Sequence, residues 1–215
     1  MLAIAETNFT ASAGADDRRA GVSRQRLLMR VAKLICKSGE YPCVMLDVSE
    51  TGTKLRLFHA HPPETFMMIE LSNGAIYPVE RRWMKDGVAG LRFTNPVDVA
   101  DFINEANPRP RRPMRLRTRH AVEFVAGGER GHGMLTNLSA RGACIEAGRQ
   151  LPIGSMVKVG IADRAARFAH VCWRKDYRHG LAFQEDMALA DLARLALDLQ
   201  PFQPSATDLA HPRSA

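Results

Sequence analysis

An arginine-rich segment in the middle of the chain carries the residues best suited to bind an anion. Residues 109–119 contain six arginines and no acidic side chain. Pro110 and Pro113 interrupt this segment, so it cannot form one face of a continuous helix. A guanidinium group presents a planar fork of donors that matches phosphates and other planar acceptors, which lysine cannot copy. The segment is therefore predicted to be a basic arm that binds an anion.

Two polar residues and a glycine follow this arm at fixed spacing. Residues 120–126 alternate like a half-buried strand, and a pair of glycines then favours a hairpin turn. In the next strand Asn137 and Ser139 flank an apolar residue, so their side chains share one face. Gly142 follows, where the lack of a side chain would let a ligand approach the backbone. Arm, polar pair and glycine together predict a site for an anion that has hydrogen-bonding edges.

The same order of landmarks occurs earlier in the chain. An offset of 90 superposes residues 47–93 on residues 137–183 without a gap and aligns Trp83 with Trp173. This register indicates an internal duplication rather than chance similarity between two halves. The first arginine pair precedes its counterpart by only 85 positions, which predicts five more residues in the first hairpin of the second copy. The landmarks of the first copy are Arg26, Arg30, Asp47, Ser49 and Gly52.

Each copy contains several short apolar runs that predict strands. Their spacing of roughly 8–12 residues is typical of a small sandwich or barrel, and closure into a barrel would leave no open edge strand. A helical stretch follows each set, at residues 96–106 and 187–199. The apolar stripe of the second stretch is expected to cover a barrel mouth. Both tryptophans are expected in the core.

Composition limits the class of protein and of partner. With 215 residues the chain is long enough for one large domain or two small ones, and its net charge of +7 favours an anionic partner such as nucleic acid, nucleotide or membrane surface. No apolar run approaches the roughly 18 residues of a membrane span. The N-terminal segment lacks the pattern of a secretory signal. Residues 1–21 and 201–215 are predicted to be flexible tails.

The cysteines and histidines give no sign of a metal or disulfide framework. Four cysteines lie in strand-like runs without CxxC spacing, which predicts buried reduced thiols and a cytoplasmic protein. A disulfide between Cys36 and Cys43, which flank a possible turn, is the alternative. The histidines show no metal spacing. We find no Ser-His-Asp order, Gly-rich phosphate loop or paired acids that would indicate an enzyme.

The combined pattern resembles the PilZ domain. That family is marked by RxxxR, then [D/N]xSxxG, a strand ending in Trp and a strand containing Gly-x-x-Phe. The chain resembles two PilZ domains in tandem, over roughly residues 22–107 and 108–200, and the second copy is the closer match. The resemblance implies an all-β fold with minor α content, in which two six-stranded antiparallel barrels are each followed by a helix. It also implies binding of the bacterial second messenger cyclic di-GMP, with no catalysis and no cofactor.

By this resemblance each copy has a cyclic di-GMP site. Arginines would contact phosphates or the O6 and N7 atoms of guanine, the Asx residue would accept guanine N–H donors, and serine would add a hydroxyl. Aspartate is the better acceptor here, since an asparagine amide also offers donors. The candidate residues are Arg111, Arg112, Arg115, Asn137, Ser139 and Gly142 in the second copy and Arg26, Arg30, Asp47, Ser49 and Gly52 in the first.

Three hypotheses of function follow. The first is a non-catalytic cyclic di-GMP receptor whose two barrels change their arrangement on binding and signal to a protein partner in motility, adhesion or polysaccharide output. The second is a basic nucleic-acid-binding protein that uses the arm as a phosphate clamp. The third is a PilZ-like scaffold with one or both sites inactive, the first copy being the candidate for loss. The sequence leaves ligand stoichiometry, the partner and the oligomeric state open.

Overall fold

The structure is a computed structural model that describes residues 25–58, 64–104 and 113–200, with residues 25–28 described by their backbone only. The predicted tails, the domain boundary near residue 107 and the residues Arg111 and Arg112 lie outside the described ranges, as does the side chain of Arg26. No helix in these ranges has the length and apolar character needed to span a membrane.

Two closed six-stranded antiparallel barrels follow one another along the chain. The first comprises β1 Gln25–Cys36, β2 Gly39–Ser49, β3 Gly52–Leu57, β4 Phe66–Glu70, β5 Ile76–Lys85 and β6 Val88–Phe93, followed by helix α1 Val99–Asn104. The second comprises β7 Arg115–Ala126, β8 Glu129–Ser139, β9 Gly142–Ala147, β10 Met156–Gly160, β11 Arg167–Lys175 and β12 Arg178–Phe183, followed by helix α2 Leu189–Asp198. The predicted fold class is confirmed.

Both barrels have the same strand order. Around the first it is β1-β2-β3-β6-β5-β4, and the second repeats it as β7-β8-β9-β12-β11-β10. Alternation of buried and exposed residues produces this closure. In β10, for example, Val157 and Val159 are buried while Met156 and Lys158 face outward. The apolar faces of the strands fill two separate cores, one in each barrel. Of the predicted site residues in the second barrel, Arg115 is exposed and Asn137 is half-buried, whereas Ser139 is buried, as are Asp47 and Ser49 in the first.

The first hairpins of the two barrels have equal lengths, so the expected five-residue difference is wrong. β1 and β7 each span 12 residues, and β2 and β8 each span 11. Strand register places Arg26 opposite Asp47 and Arg117 opposite Asn137. Arg26 is thus the counterpart of Arg117, whereas matching the RxxxR letters had paired it with Arg111. The register is irregular in β1 and in β7, the first strand of each barrel. Because the two irregularities differ, no single sequence offset aligns β1 with β7, which explains the error.

Helix α2 contacts both barrels. Leu192, Leu195 and Ala196 are buried in the core of the second barrel, which confirms that the helix covers that barrel. Leu197, on another side of the helix, packs against the core of the first barrel. The helix begins after the last strand of one barrel and lies against β2 of the other. It therefore stabilises the contact between the two barrels.

All four cysteines are free thiols. Cys43 and Cys144 are buried and Cys36 is half-buried, but Cys172 is exposed, so the expectation of buried thiols is wrong at that position. Burial raises the pKa of the Cys43 thiol to about 12. The alternative of a Cys36–Cys43 disulfide does not occur.

Candidate ligand site on the second barrel

A shallow depression on the outer surface of the second barrel brings four of the predicted residues together. Its volume is about 240 Å³, and it is formed by β7, β8, β9, β11 and β12. The sequence-predicted residues that line it are Arg115, Asn137, Ser139 and Gly142. These residues come from three neighbouring strands, so the pairing of β7 with β8 and of β8 with β9 is what assembles them. Nothing can be said of Arg111 and Arg112, which precede the first described residue of this barrel.

The cation and the amide of the depression are both available to a ligand. Arg115 is exposed and lies directly across from Ser139 on β8. Asn137 is half-buried on the same strand. Among the residues that the structure describes, neither the Arg115 guanidinium nor the Asn137 amide forms a hydrogen bond or ion pair. The depression can therefore offer a planar set of donors and an amide edge to an anionic, hydrogen-bonding molecule.

Ser139 and Gly142 have a structural role that the sequence did not indicate. The Ser139 hydroxyl donates to the Gly142 carbonyl at 3.1 Å and so closes the turn between β8 and β9. A side chain at Gly142 would put its Cβ 2.1 Å from the carbonyl oxygen of Leu181 on β12. The glycine is thus required by the close approach of β9 to β12. Ser139 retains acceptor lone pairs towards the depression, but its proton is used within the fold.

Trp173 is a wall of the depression, and its expected place in the core is wrong. Its side chain is 41% exposed, and that of Trp83 in the first barrel is 45% exposed. The indole lies over Gly180 of the neighbouring strand, where an added Cβ would come within 2.0 Å of the ring nitrogen. Gly180 makes room for an outward-facing ring. The seven-residue spacing from tryptophan to glycine, present in both copies, was the available signal.

Residues 109–198 match the sequence model of one protein family, described as the PilZ domain. The chain contains a PilZ domain. The match covers the second barrel and its helix, which is the half that carries the depression. The first PilZ-like barrel is related to it by strand order and by the sequence repeat.

Three solved structures similar to this chain illustrate the range of the likeness. PlzA of Borreliella burgdorferi, in complex with c-di-GMP, is 12% identical over 84% of this chain and 94% of that chain, with a TM-score of 0.33. MrkH of K. pneumonia, in its apo state, is 15% identical over 80% and 85%, with a TM-score of 0.30. YcgR of Escherichia coli, in complex with c-di-GMP, is 13% identical over 79% and 81%, with a TM-score of 0.29. At these scores the likenesses add nothing to the family match. No curated protein is similar enough to add to it either.

In the first PilZ-like barrel, the predicted acceptor Asp47 forms an internal ion pair. Asp47 Oδ1 accepts the Lys54 backbone N–H at 3.0 Å, and its Oδ2 is 3.3 Å from Lys54 Nζ. Lys54 lies opposite Asp47 in the register, as Cys144 lies opposite Asn137 in the PilZ domain. A thiol in the second barrel is thus replaced by an ammonium group that neutralises the carboxylate. Aspartate was expected to be the better acceptor, but Asp47 is already engaged by Lys54.

The remaining first-barrel candidates with described side chains contact their own barrel and its helix. Arg30 lies opposite Met45, and its guanidinium donates to the carbonyl of Ile103 in α1. The Ser49 hydroxyl donates to the Gly52 carbonyl at 3.1 Å, as in the second barrel. These residues shape the turn between β2 and β3. Their use in binding stays a prediction.

Two charged residues next to the site were missed by the sequence analysis. Glu40, from the first barrel, accepts a hydrogen bond from Arg117 Nε at 2.7 Å, and Arg117 lies across from Asn137. Lys33 donates to the backbone carbonyl of Arg115 at 3.0 Å. No motif contains either residue, because only the packing of one barrel on the other brings them to β7.

Proposed function

We propose that this protein is a non-catalytic cytoplasmic receptor for cyclic di-GMP and that the ligand binds to the depression on its PilZ domain. One observation carries the proposal: Arg115, Asn137, Ser139 and Gly142 line a single depression on the barrel that matches the PilZ family. The ligand carries two phosphates and two guanines, which suit an arginine fork and an amide edge.

The depression would hold only part of this ligand. Its volume of about 240 Å³ is below the roughly 300–1,000 Å³ of ordinary ligand pockets. We propose that Arg111 and Arg112, which precede β7, close over the bound nucleotide and contact its phosphates or its guanine edges. Trp173 adds a flat apolar wall beside the polar residues. An exposed indole next to an arginine suits stacking against a base.

We further propose that one ligand site per chain is functional. In the first barrel the Lys54 ammonium already neutralises Asp47, and the Arg30 guanidinium donates to the Ile103 carbonyl. A guanine would have to share the carboxylate with the Lys54 backbone N–H and compete with its ammonium group. The second barrel imposes no such competition at Asn137.

Ligand binding is proposed to alter the arrangement of the two barrels. β7 carries Arg115 on the depression and, through Arg117, also contacts Glu40 of the first barrel. A ligand with different affinities for two arrangements shifts the population toward the one it prefers. A protein partner in motility, adhesion or polysaccharide output would then recognise the favoured arrangement.

Isothermal titration calorimetry of the full chain with cyclic di-GMP tests the proposal. We expect saturable binding of the ligand to the full chain, with the second barrel as its only site. Arg111→Ala together with Arg115→Ala should weaken binding at least about a hundredfold, since each charged hydrogen bond contributes about 1.5–3 kcal/mol. The matched control is Arg26→Ala together with Arg30→Ala, the corresponding letters of the first copy, which should leave affinity and stoichiometry unchanged.

Two outcomes would contradict this function. One is the absence of heat at micromolar ligand. The other is binding that the second-barrel arginine pair does not affect. If the protein instead bound an unstructured oligonucleotide with a steep salt dependence and no preference for cyclic di-GMP, the nucleic-acid hypothesis would replace it.

A further inference from the structure

A buried cluster of charges lies where the first barrel meets β7 of the second. The side chains of Lys33 and Glu40 are only 2% and 3% exposed. Lys33 Nζ lies 3.0 Å from Glu40 Oε2 and 3.0 Å from Glu70 Oε2, so one ammonium group is shared by two carboxylates of its own barrel. Glu40 also accepts from Arg117 Nε of the second barrel at 2.7 Å. Buried ionic groups of this kind persist only where their partners are held in good geometry.

This cluster takes the place of a missing strand at the edge of β7. β10 pairs with β7 only at Glu123–Ala126, so β10 leaves the beginning of β7 without a ladder partner on that side. There Lys33 Nζ donates to the Arg115 carbonyl at 3.0 Å, and the Arg117 backbone N–H donates to Glu40 Oε2 at 2.8 Å. One cation and one carboxylate from the first barrel therefore satisfy a carbonyl and an amide of this edge.

The stretch of β7 that they hold carries Arg115 and lies beside the part of β8 that carries Asn137 and Ser139. Arg115 pairs across with Ser139, and Arg117 pairs across with Asn137. Immediately after Arg117 the register with β8 is irregular, so the regular hairpin ladder does not continue through to this end. The bonds from Lys33 and Glu40 fix its backbone from the opposite side. They leave the Arg115 guanidinium exposed over the depression.

We propose that Lys33 and Glu40 of the first barrel are positioning residues for the ligand site of the second, so that the site is complete only when the two barrels are docked. This inference rests on the proposed cyclic di-GMP function. The first barrel then has a role in binding although Asp47, its own predicted acceptor, is paired with Lys54. By linkage, a ligand that needs β7 in this position strengthens the contact between the barrels by the same factor.

The decisive variants are Glu40→Ala, Arg117→Ala and the double variant, each in the full chain. Glu40→Ala removes both bonds to β7 but leaves Lys33 paired with Glu70, so the ammonium group keeps a counter-charge. The matched control is Glu80→Ala, which removes an ion-paired carboxylate from β5 of the same barrel. In calorimetry we expect cyclic di-GMP to bind about tenfold more weakly to Glu40→Ala. Arg117→Ala should bind similarly weakly, and the double variant no more weakly than either one.

Non-additivity separates positioning from direct charge attraction. If Arg117 acted only as a surface cation for the phosphates, its removal and that of Glu40 would change the affinity independently. Unchanged affinity in Glu40→Ala, or losses that simply add in the double variant, would overturn the proposal. Should Glu40→Ala fail to fold, Glu40→Gln removes the charge but keeps the shape and an acceptor oxygen. The Glu40 side chain is only 3% exposed and cannot contact the ligand, so a loss of affinity in Glu40→Gln that Glu80→Gln lacks then carries the test.

Amide hydrogen exchange without ligand supplies an independent readout. Glu40→Ala should speed exchange of the Arg117 amide about tenfold or more, while Glu80→Ala should leave it unchanged. Equal protection in Glu40→Ala and wild type would overturn the positioning role whatever the calorimetry shows. Failure of the wild-type protein to bind cyclic di-GMP would instead overturn the proposed function and, with it, the link from these residues to the ligand.

Discussion

At the scale of single residues, each barrel has one tryptophan placed on its outer surface by a glycine of the adjacent strand. Trp173 lies over Gly180 and Trp83 lies over Gly90. The two pairs are structurally matched, but only Trp173 borders the arginine-containing depression. They therefore form an internal control for the contribution of an indole to ligand binding.

We predict that Gly180→Ala weakens cyclic di-GMP binding and that Gly90→Ala does not. The new Cβ would lie 2.0 Å from the Trp173 ring nitrogen in one variant and 2.2 Å from that of Trp83 in the other, so each indole must move. Both indoles are exposed, so they can move away from the new Cβ at little cost in stability. Tryptophan fluorescence should change in both variants, and calorimetry should show weaker binding in Gly180→Ala alone. Equal affinities in the two variants would remove Trp173 from the binding surface.

The sequence predicted which polar residues share a strand face, but not which residues lie beside them on the neighbouring strand. Alternation along a strand was enough to put Asn137 and Ser139 on one face, because the side-chain period of a strand is two. The same letters in the first copy gave Asp47 and Ser49, yet a single cross-strand neighbour, Lys54, changes what Asp47 can do. Such a neighbour depends on register between strands, which one strand's pattern does not contain.

At the scale of elements, α2 is the helix that closes the second barrel. Leu192, Leu195 and Ala196 face its core, while Arg194 points to solvent and pairs with Asp191 at 2.8 Å. The apolar stripe predicted this face correctly because buried positions on a helix recur every three to four residues. The contact of Leu197 with the first barrel was not predictable, since a single leucine beside the stripe looks like its edge.

We predict that Leu195→Ala lowers the free energy of unfolding of the second barrel by about 2–5 kcal/mol, as large-to-small core substitutions do. Leu195 is buried among the residues that close this barrel, so the truncated side chain leaves a cavity. Arg194→Ala, one position earlier, should change stability by less than about 0.5 kcal/mol. Denaturant titration monitored by far-ultraviolet circular dichroism measures both. Comparable losses in the two variants would show that α2 does not cover the core in solution.

For β1 and β7, the first strand of each barrel, the sequence predicted the strand but not its register. The apolar runs located all twelve strands, because burial on one face imposes a simple alternation. The irregularities in β1 and β7 do not alternate, and they moved the arginine motif of the first copy out of register with that of the second. Matching letters therefore paired Arg30 with Arg115. In the structure Arg30 lies opposite Met45 and Arg115 lies opposite Ser139, so the two arginines are not at equivalent positions.

At the scale of the whole molecule, the contact between the barrels depends on a carboxylate that must stay ionised. Burial by itself would raise the pKa of Glu40, but Lys33 and the hydrogen bonds and charge of Arg117 more than offset it, so the pKa lies below its ordinary value of 4.5. A carboxyl group with a lowered pKa in the folded state stabilises that state above its unfolded-state pKa. This contribution is lost as the pH falls through the folded-state value, because the unfolded chain then binds more protons.

We therefore predict that the stability difference between wild type and Glu40→Ala depends on pH. At pH 7 the variant should be less stable by about 1.5–3 kcal/mol, the contribution of a hydrogen bond to a charged group, because Lys33 keeps Glu70 as its counter-charge. Below about pH 4.5 the difference should shrink as the wild-type carboxylate takes up its proton. Differential scanning calorimetry of both proteins across this range measures the difference. The pKa of His179 also lies below its ordinary value, in that case because of burial. His179 is present in both proteins, so its effect on the stability difference cancels. A difference that stayed constant from pH 7 to the acid end of the range would mean that Glu40 contributes by packing and not by charge.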